Sequence, residues 1–151
     1  MVEYPKPFTT TDNIASYDGS GGATNRRGYN YGGDGGGIIW ISSSDQMQLV
    51  DSNITSDGFS GKNNDGFALG SGGGAGGSIQ IIAGGIKGNA LITAKGGNGS
   101  WGAGGGGSGG RVIVNLLRTY DSKSYPAISQ GWNGRFDILG GTPGAVSSSI
   151  R

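Results

Sequence analysis

Gly72-Gly73-Gly74-Ala75-Gly76-Gly77-Ser78-Ile79-Gln80-Ile81-Ile82 joins a glycine tract directly to a short β-branched strand, and the same join occurs twice more. It returns as Gly35-Gly36-Gly37-Ile38-Ile39-Trp40-Ile41 and as Gly106-Gly107-Ser108-Gly109-Gly110-Arg111-Val112-Ile113-Val114. Repeats of this size are the mark of stacked architectures, where each unit buries its apolar face against its neighbours. A chain of 151 residues has the length of one such domain or of a piece of a longer repeat protein.

Each strand is followed by a second element. These are Asn53-Ile54-Thr55-Ser56-Asp57-Gly58, Leu91-Ile92-Thr93-Ala94-Lys95-Gly96 and Ala127-Ile128-Ser129-Gln130-Gly131, with a partial copy at Asn13-Ile14-Ala15-Ser16. The isoleucines Ile14, Ile54, Ile92 and Ile128 are 40, 38 and 36 residues apart, and the strand starts Ile38, Ser78 and Arg111 are 40 and 33 apart. Variation of this kind suits strands in register joined by loops of changing length. Alternation assigns the faces: Ile39, Ile41, Ile79, Ile81, Val112 and Val114 inward, Ile38, Trp40, Ser78, Gln80, Arg111 and Ile113 outward. An outward Ile38 and Trp40 form an apolar patch that calls for cover by the N-terminal arm or a partner.

Glycine supplies 36 residues, about three times its usual share. Such a tract has two readings: a floppy linker, or extended segments packed side by side in a polyproline II-like helix. That helix has no internal hydrogen bonds and leaves its amides to neighbours. Recurrence at the same place in every unit favours ordered packing, and the apolar runs 38–41, 79–82 and 112–117 argue against disorder. So much glycine disfavours helix, since each costs about 1 kcal/mol relative to Ala. The expected fold is therefore all-β: a glycine-rich parallel β-solenoid of about three coils. Its expected limits are an extended arm over 1–12, the repeat domain over 13–140 and a tail over 141–151.

The block Gly76-Gly77-Ser78-Ile79-Gln80-Ile81, Leu91-Ile92-Thr93-Ala94-Lys95-Gly96-Gly97-Asn98-Gly99 and Gly104–Val114 resembles the glycine-rich right-handed β-helix repeats of large secreted or surface proteins. The resemblance covers roughly residues 33–135 and implies a structural or adhesive role at an extracellular, cell or virion surface. The first unit departs from it at Trp40 and in the glycine-poor connection 45–52.

Chemistry leaves little trace. With no Cys there is no disulfide or thiolate metal site, and with no His the commonest general base is missing. Eleven Lys and Arg against ten Asp and Glu give no basic footprint for nucleic acid. No apolar stretch reaches the roughly 20 residues of a membrane span, and the first residues have no signal-peptide core. Asp34, Asp45, Asp51, Asp57, Asp65, Asp121 and Asp137 mostly lie beside Gly, Ser or Asn, where turn chemistry accounts for them better than a catalytic pair. A calcium site through Asp57 and Asp65 is a minor alternative. No cofactor is expected.

The aromatics carry the functional signal. Trp40, Trp101 and Trp132 near loops or outward positions, together with Ile38, are the candidate partner contacts, for stacking on sugars or anchoring protein. Phe59 and Trp132 share one slot of the G-x-x-G motif, which Gly97 fills in the middle unit. Asn53 and Asn98 begin glycosylation sequons. The expectation is a non-enzymatic structural module of an extracellular filament, sheath or large surface protein, associating with itself or with neighbouring domains. The alternative is a receptor- or glycan-binding adhesin or phage fibre tip.

Overall fold

The computed structural model describes residues 19–23, 30–63, 69–117 and 131–145. The regular elements there are all strands: β1 (Ile38–Ser42), β2 (Gln46–Leu49), β3 (Asn53–Thr55), β4 (Ser78–Ala83), β5 (Gly85–Gly88), β6 (Leu91–Thr93), β7 (Arg111–Leu116) and β8 (Arg135–Asp137). They form three small parallel sheets, ordered β1-β4-β7, β2-β5 and β3-β6-β8. The chain visits these sheets in the same order on every pass, so each pass lies on the one before it. The arm over 1–12 and the partial copy at Asn13–Ser16 fall outside the described residues.

Register follows the apolar alternation. Ile39, Ile79 and Val112 align, as do Ile41, Ile81 and Val114. Ile79, Ile81, Ile86, Ala90, Ile92 and Ala94 make the buried core, and Ile39, Met47, Ile54, Val112 and Val114 pack against it from the passes on either side. Full burial of each isoleucine contributes about 1.5–3 kcal/mol.

The third pass differs from the sequence expectation. Ile92 is paired with Phe136, not Ile128, and Ile128 lies outside the described residues. Trp132 does not share Phe59's position: it bridges Gly88, the partner of Leu49, and so belongs to the second sheet's column. Between the first sheet's strand and this column the chain runs six residues in the first pass, four in the second and 15 in the third, so the spacing of the earlier units does not carry over to Ile128. Ser78 and Gln80, expected on an exposed face, are buried. Register sets Gln80 between Trp40 and Ile113, and Ser78 between Ile38 and Arg111, so larger neighbours flank both short rows.

The glycine tracts pack in order. The tracts that enter the first sheet are 32–37, 70–77 and 104–110; those that leave the third are 56–61, 94–100 and 138–144, the last running across the expected limit at 140. Within tract 70–77, residues 72–77 donate in strict rotation. Gly72 and Ala75 bond Ala23 and Ser20, Gly73 and Gly76 bond Gly105 and Ser108, and Gly74 and Gly77 bond Phe59 and Ser56, at 2.8–2.9 Å. A three-residue period is that of the polyproline II helix, whereas a strand would alternate by two. Residues three apart thus serve the same neighbour and successive residues serve different ones, and five segments surround this one.

Glycine is required by contact rather than by dihedral angle. Among the described glycines only Gly88, Gly102 and Gly131 have positive φ, and none lies in the six strand-flanking tracts. A Cβ on Gly74 would overlap the Asp34 carbonyl oxygen, and one on Gly97 that of Phe59, whereas a Cβ on Gly105 meets nothing. Gly74→Ala or Gly97→Ala should therefore cost about 3 kcal/mol or more by forcing backbones apart. Gly105→Ala should stabilise by up to about 1 kcal/mol by restricting the unfolded chain. Thermal melts of the three variants check this contrast.

Candidate interaction surfaces

The sequence-predicted contact residues occupy three separate places. Ile38 and Trp40 share the outer face of β1, 43% and 52% exposed. Trp40, Gln80 and Ile113 form one row across the first sheet. Gln80 interrupts this otherwise apolar row, and its Oε1 is buried with no hydrogen-bond partner among the described residues. An unpaired buried acceptor costs about 1–3 kcal/mol.

Trp132 lies elsewhere. It is half-buried against the core and its ring stacks on Phe136 with centroids 5.6 Å apart. Gly88 makes room for this column: a Cβ there would overlap the Leu49 carbonyl oxygen, and its φ is 116°. Gly88 N–H bonds Gly131 O at 2.8 Å and Asn133 N–H bonds Gly88 O at 2.7 Å. Trp132 is thus a packing residue with an accessible edge.

Trp101 sits at the far end of the tracts, in the turn 101–103, where Gly102 and Ala103 take positive φ. Other connections converge here. Lys62 N–H bonds Tyr31 O at 2.9 Å, Asn30 Nδ2 bonds Leu69 O at 2.9 Å, Asn63 Nδ2 bonds Trp101 O at 3.0 Å, and Gly70 N–H bonds Gly102 O at 2.6 Å. Tyr31, Leu69 and Trp101 are exposed on this end. Of these three, Trp101 is one of the contact residues expected from the sequence. Leu69 was missed, and its one available signal was its place immediately before a glycine tract.

The polar side chains near the tracts have structural work. Along the wall formed by 56–61, 94–100 and 138–144 no further tract lies outside among the described residues, and side chains bond the outward amides. Asp57 Oδ1 accepts from Lys95 N at 2.7 Å, Ser60 Oγ from Asn98 N at 3.1 Å, and Asn98 Oδ1 from Thr142 N at 2.9 Å. Asp51 pairs with Asn89 at 2.6 Å, and Asp45 Oδ1 accepts from Gln46 N at 2.7 Å. Lys95 Nζ and Asp137 stand 3.9 Å apart on the surface, a pair that contributes little. Of the calcium alternative, Asp65 lies outside the described residues, and no group of three or more acidic residues gathers among those described. Asn53 is exposed on β3. Asn98 is exposed, but its sequon partner Ser100 is buried, 3.2 Å from Ser71 Oγ.

The opposite wall is different. Between segment 19–23 and tract 104–110 runs an open groove of about 490 Å³, floored by 70–75 and lined by Ser20, Ala23, Ala75 and Ser108 among glycines. Searches against known protein families, curated proteins and solved structures found no match for this chain.

Two substitutions test the outer sheet face and the Trp132 column. Gln80→Leu should raise stability by about 1 kcal/mol, since it replaces an unpaired acceptor with a side chain that suits its neighbours. Trp132→Ala should cost about 2–3 kcal/mol and Trp40→Ala less than about 1 kcal/mol, in line with their packing. Denaturant titrations read all three.

Proposed function

We propose that the chain is a short, glycine-walled β-solenoid that serves as a rigid, non-enzymatic structural module of an extracellular filament, sheath or large cell- or virion-surface protein. The observation that carries this reading is the three-residue rotation of hydrogen bonds through tract 70–77. It ties five neighbouring segments to one backbone, and the buried hydroxyls within this packing, Ser56, Ser71 and Ser100, are hydrogen-bonded to the stack itself. The described carboxylates whose bonds are given above hold backbone and side-chain groups of the stack itself.

The same logic bears on partners. In the first pass, Asp34 and Phe59 stand where later passes have Gly74 and Gly97, the positions whose Cβ would overlap the preceding tract. In the last pass Pro143 stands 44 residues after Gly99, whose N–H bonds Thr142 O, and so offers no donor there. Another tract added at either end meets a side chain or a missing N–H. The partner is thus a neighbouring domain that packs on side chains, with Phe136, Ile138 and Leu139 exposed at the last pass. Sedimentation of the isolated chain should show a monomer at high concentration; open-ended oligomers would overturn this reading. Immunogold labelling of the native source should decorate surface structures, and label confined to the cell interior would refute the placement.

A second reading, the receptor- or glycan-binding tip, is supported by Tyr31, Leu69 and Trp101 exposed together on the rigid loop end. Under it, Trp101→Ala or Tyr31→Ala should lower binding to host cells or glycans about tenfold with the melting temperature unchanged.

A further inference from the structure

The groove beside tract 70–77 repeats, one pass later, the site that holds segment 19–23. That segment is held by four main-chain bonds. Gly19 N–H and Gly22 N–H donate to Gly36 O and Gly33 O, and Ser20 O and Ala23 O accept from Ala75 N–H and Gly72 N–H, at 2.7–2.9 Å. The register of the first sheet moves Gly33 and Gly36 to Gly73 and Gly76, and Gly72 and Ala75 to Gly105 and Ser108. The carbonyl oxygens of Gly73 and Gly76 and the amides of Gly105 and Ser108 make no hydrogen bond among the described residues. Gly73, Gly105 and Ser108 line the groove. On the other outer wall Asp57, Ser60 and Asn98 satisfy the amides left over; here no described side chain does.

A sixth peptide segment is shut out. Gly35 needs its missing Cβ to clear Gly19 O, and its counterpart at the groove is Ala75. The Ala75 methyl therefore occupies the place a backbone would take. What fits is an extended ligand of another shape that both donates and accepts. Three residues of a polyproline II helix rise about 9.3 Å, which sets the spacing between successive bare groups. Among the described residues no ionisable side chain lines the groove, so they offer a charged ligand no counter-charge. Its volume of about 490 Å³ is ample for a few sugar rings. Ala103 lines one end, and the exposed Trp101 in the same turn presents a face on which a sugar can stack.

We propose that the groove binds a neutral oligosaccharide, whose hydroxyls donate to Gly73 O and accept from the N–H groups of Gly105 and Ser108. The proposal rests on the surface-module reading and gives that module a ligand.

The test uses the full chain on an array of neutral oligosaccharides, followed by calorimetric titration of the best binder. Ser108→Pro removes one donor and fills its place with the ring. Proline suits the extended backbone, and Ser108 O still accepts from Gly76. Ala75→Leu fills the groove floor. Both variants should keep the wild-type melting temperature within a few degrees and lose at least tenfold in affinity. The proposal is overturned if the wild type binds no neutral oligosaccharide, or if Ser108→Pro binds within twofold of wild type. Loss of binding in Trp101→Ala with Ser108→Pro unaffected would move the ligand to the loop end; the groove assignment would then fail and the surface-module reading would stand.

Discussion

Close approach of main chain to main chain, permitted only where Cβ is missing, is the constraint on which the rest depends. Tracts 32–37, 70–77 and 104–110 lie close enough for carbonyl oxygens of one to reach amides of its neighbours, and a methyl group at Gly74, Gly97 or Gly107 would overlap a neighbouring carbonyl oxygen. Ordinary cores are held by side chains that interdigitate. Here one side of each pass is held by hydrogen-bonded backbone and the other by Ile39, Ile79, Ile81, Ile86 and Ile92. The apolar half contributes the burial energy; the glycine half supplies width and direction at almost no volume. Neither suffices alone, because the ordering entropy of glycine is the largest of any residue and the isoleucine core is small.

The threefold period explains where other residues are tolerated. Gly104, Gly107 and Gly110 face tract 71–77, Gly106 and Gly109 face 138–141, and the remaining phase of that tract, Gly105 and Ser108, faces open space. The small residues Ser56, Ser71, Ala94 and Ser100 are buried, whereas the substituted positions Asp57, Ser60, Lys95, Asn98, Ala75 and Ser108 report outer faces. On one wall those side chains bond the leftover amides, and on the other they leave them bare. This asymmetry gives the module a finished side and a side with unspent hydrogen-bonding capacity.

Much of this was legible from particular residues. Strand starts 40 and 33 residues apart fixed the first sheet, and the alternation Ile79-Gln80-Ile81 gave the inward face correctly. Recurrence of tracts at one place in each unit pointed to ordered packing. The third pass misled because Ile128-Ser129 resembles Ile54-Thr55 locally, while the true partner, Phe136, has no such look; a short strand motif carries too few residues to fix register when the sequence spacing between strands changes. Ser78 and Gln80 misled because polarity reports the face of a strand, not what flanks it.

By itself the sequence determined the all-β class, the parallel stacking and the absence of side-chain bulk between tracts, since periodicity and composition are local properties of the chain. Tertiary structure alone decided which carbonyl each tract amide meets, which aromatics share the loop end, and that among the described residues one position around tract 70–77 is left open. Those facts depend on how separate passes are offset in rotation about their axes, and an offset of one residue in three turns a contact toward a different neighbour.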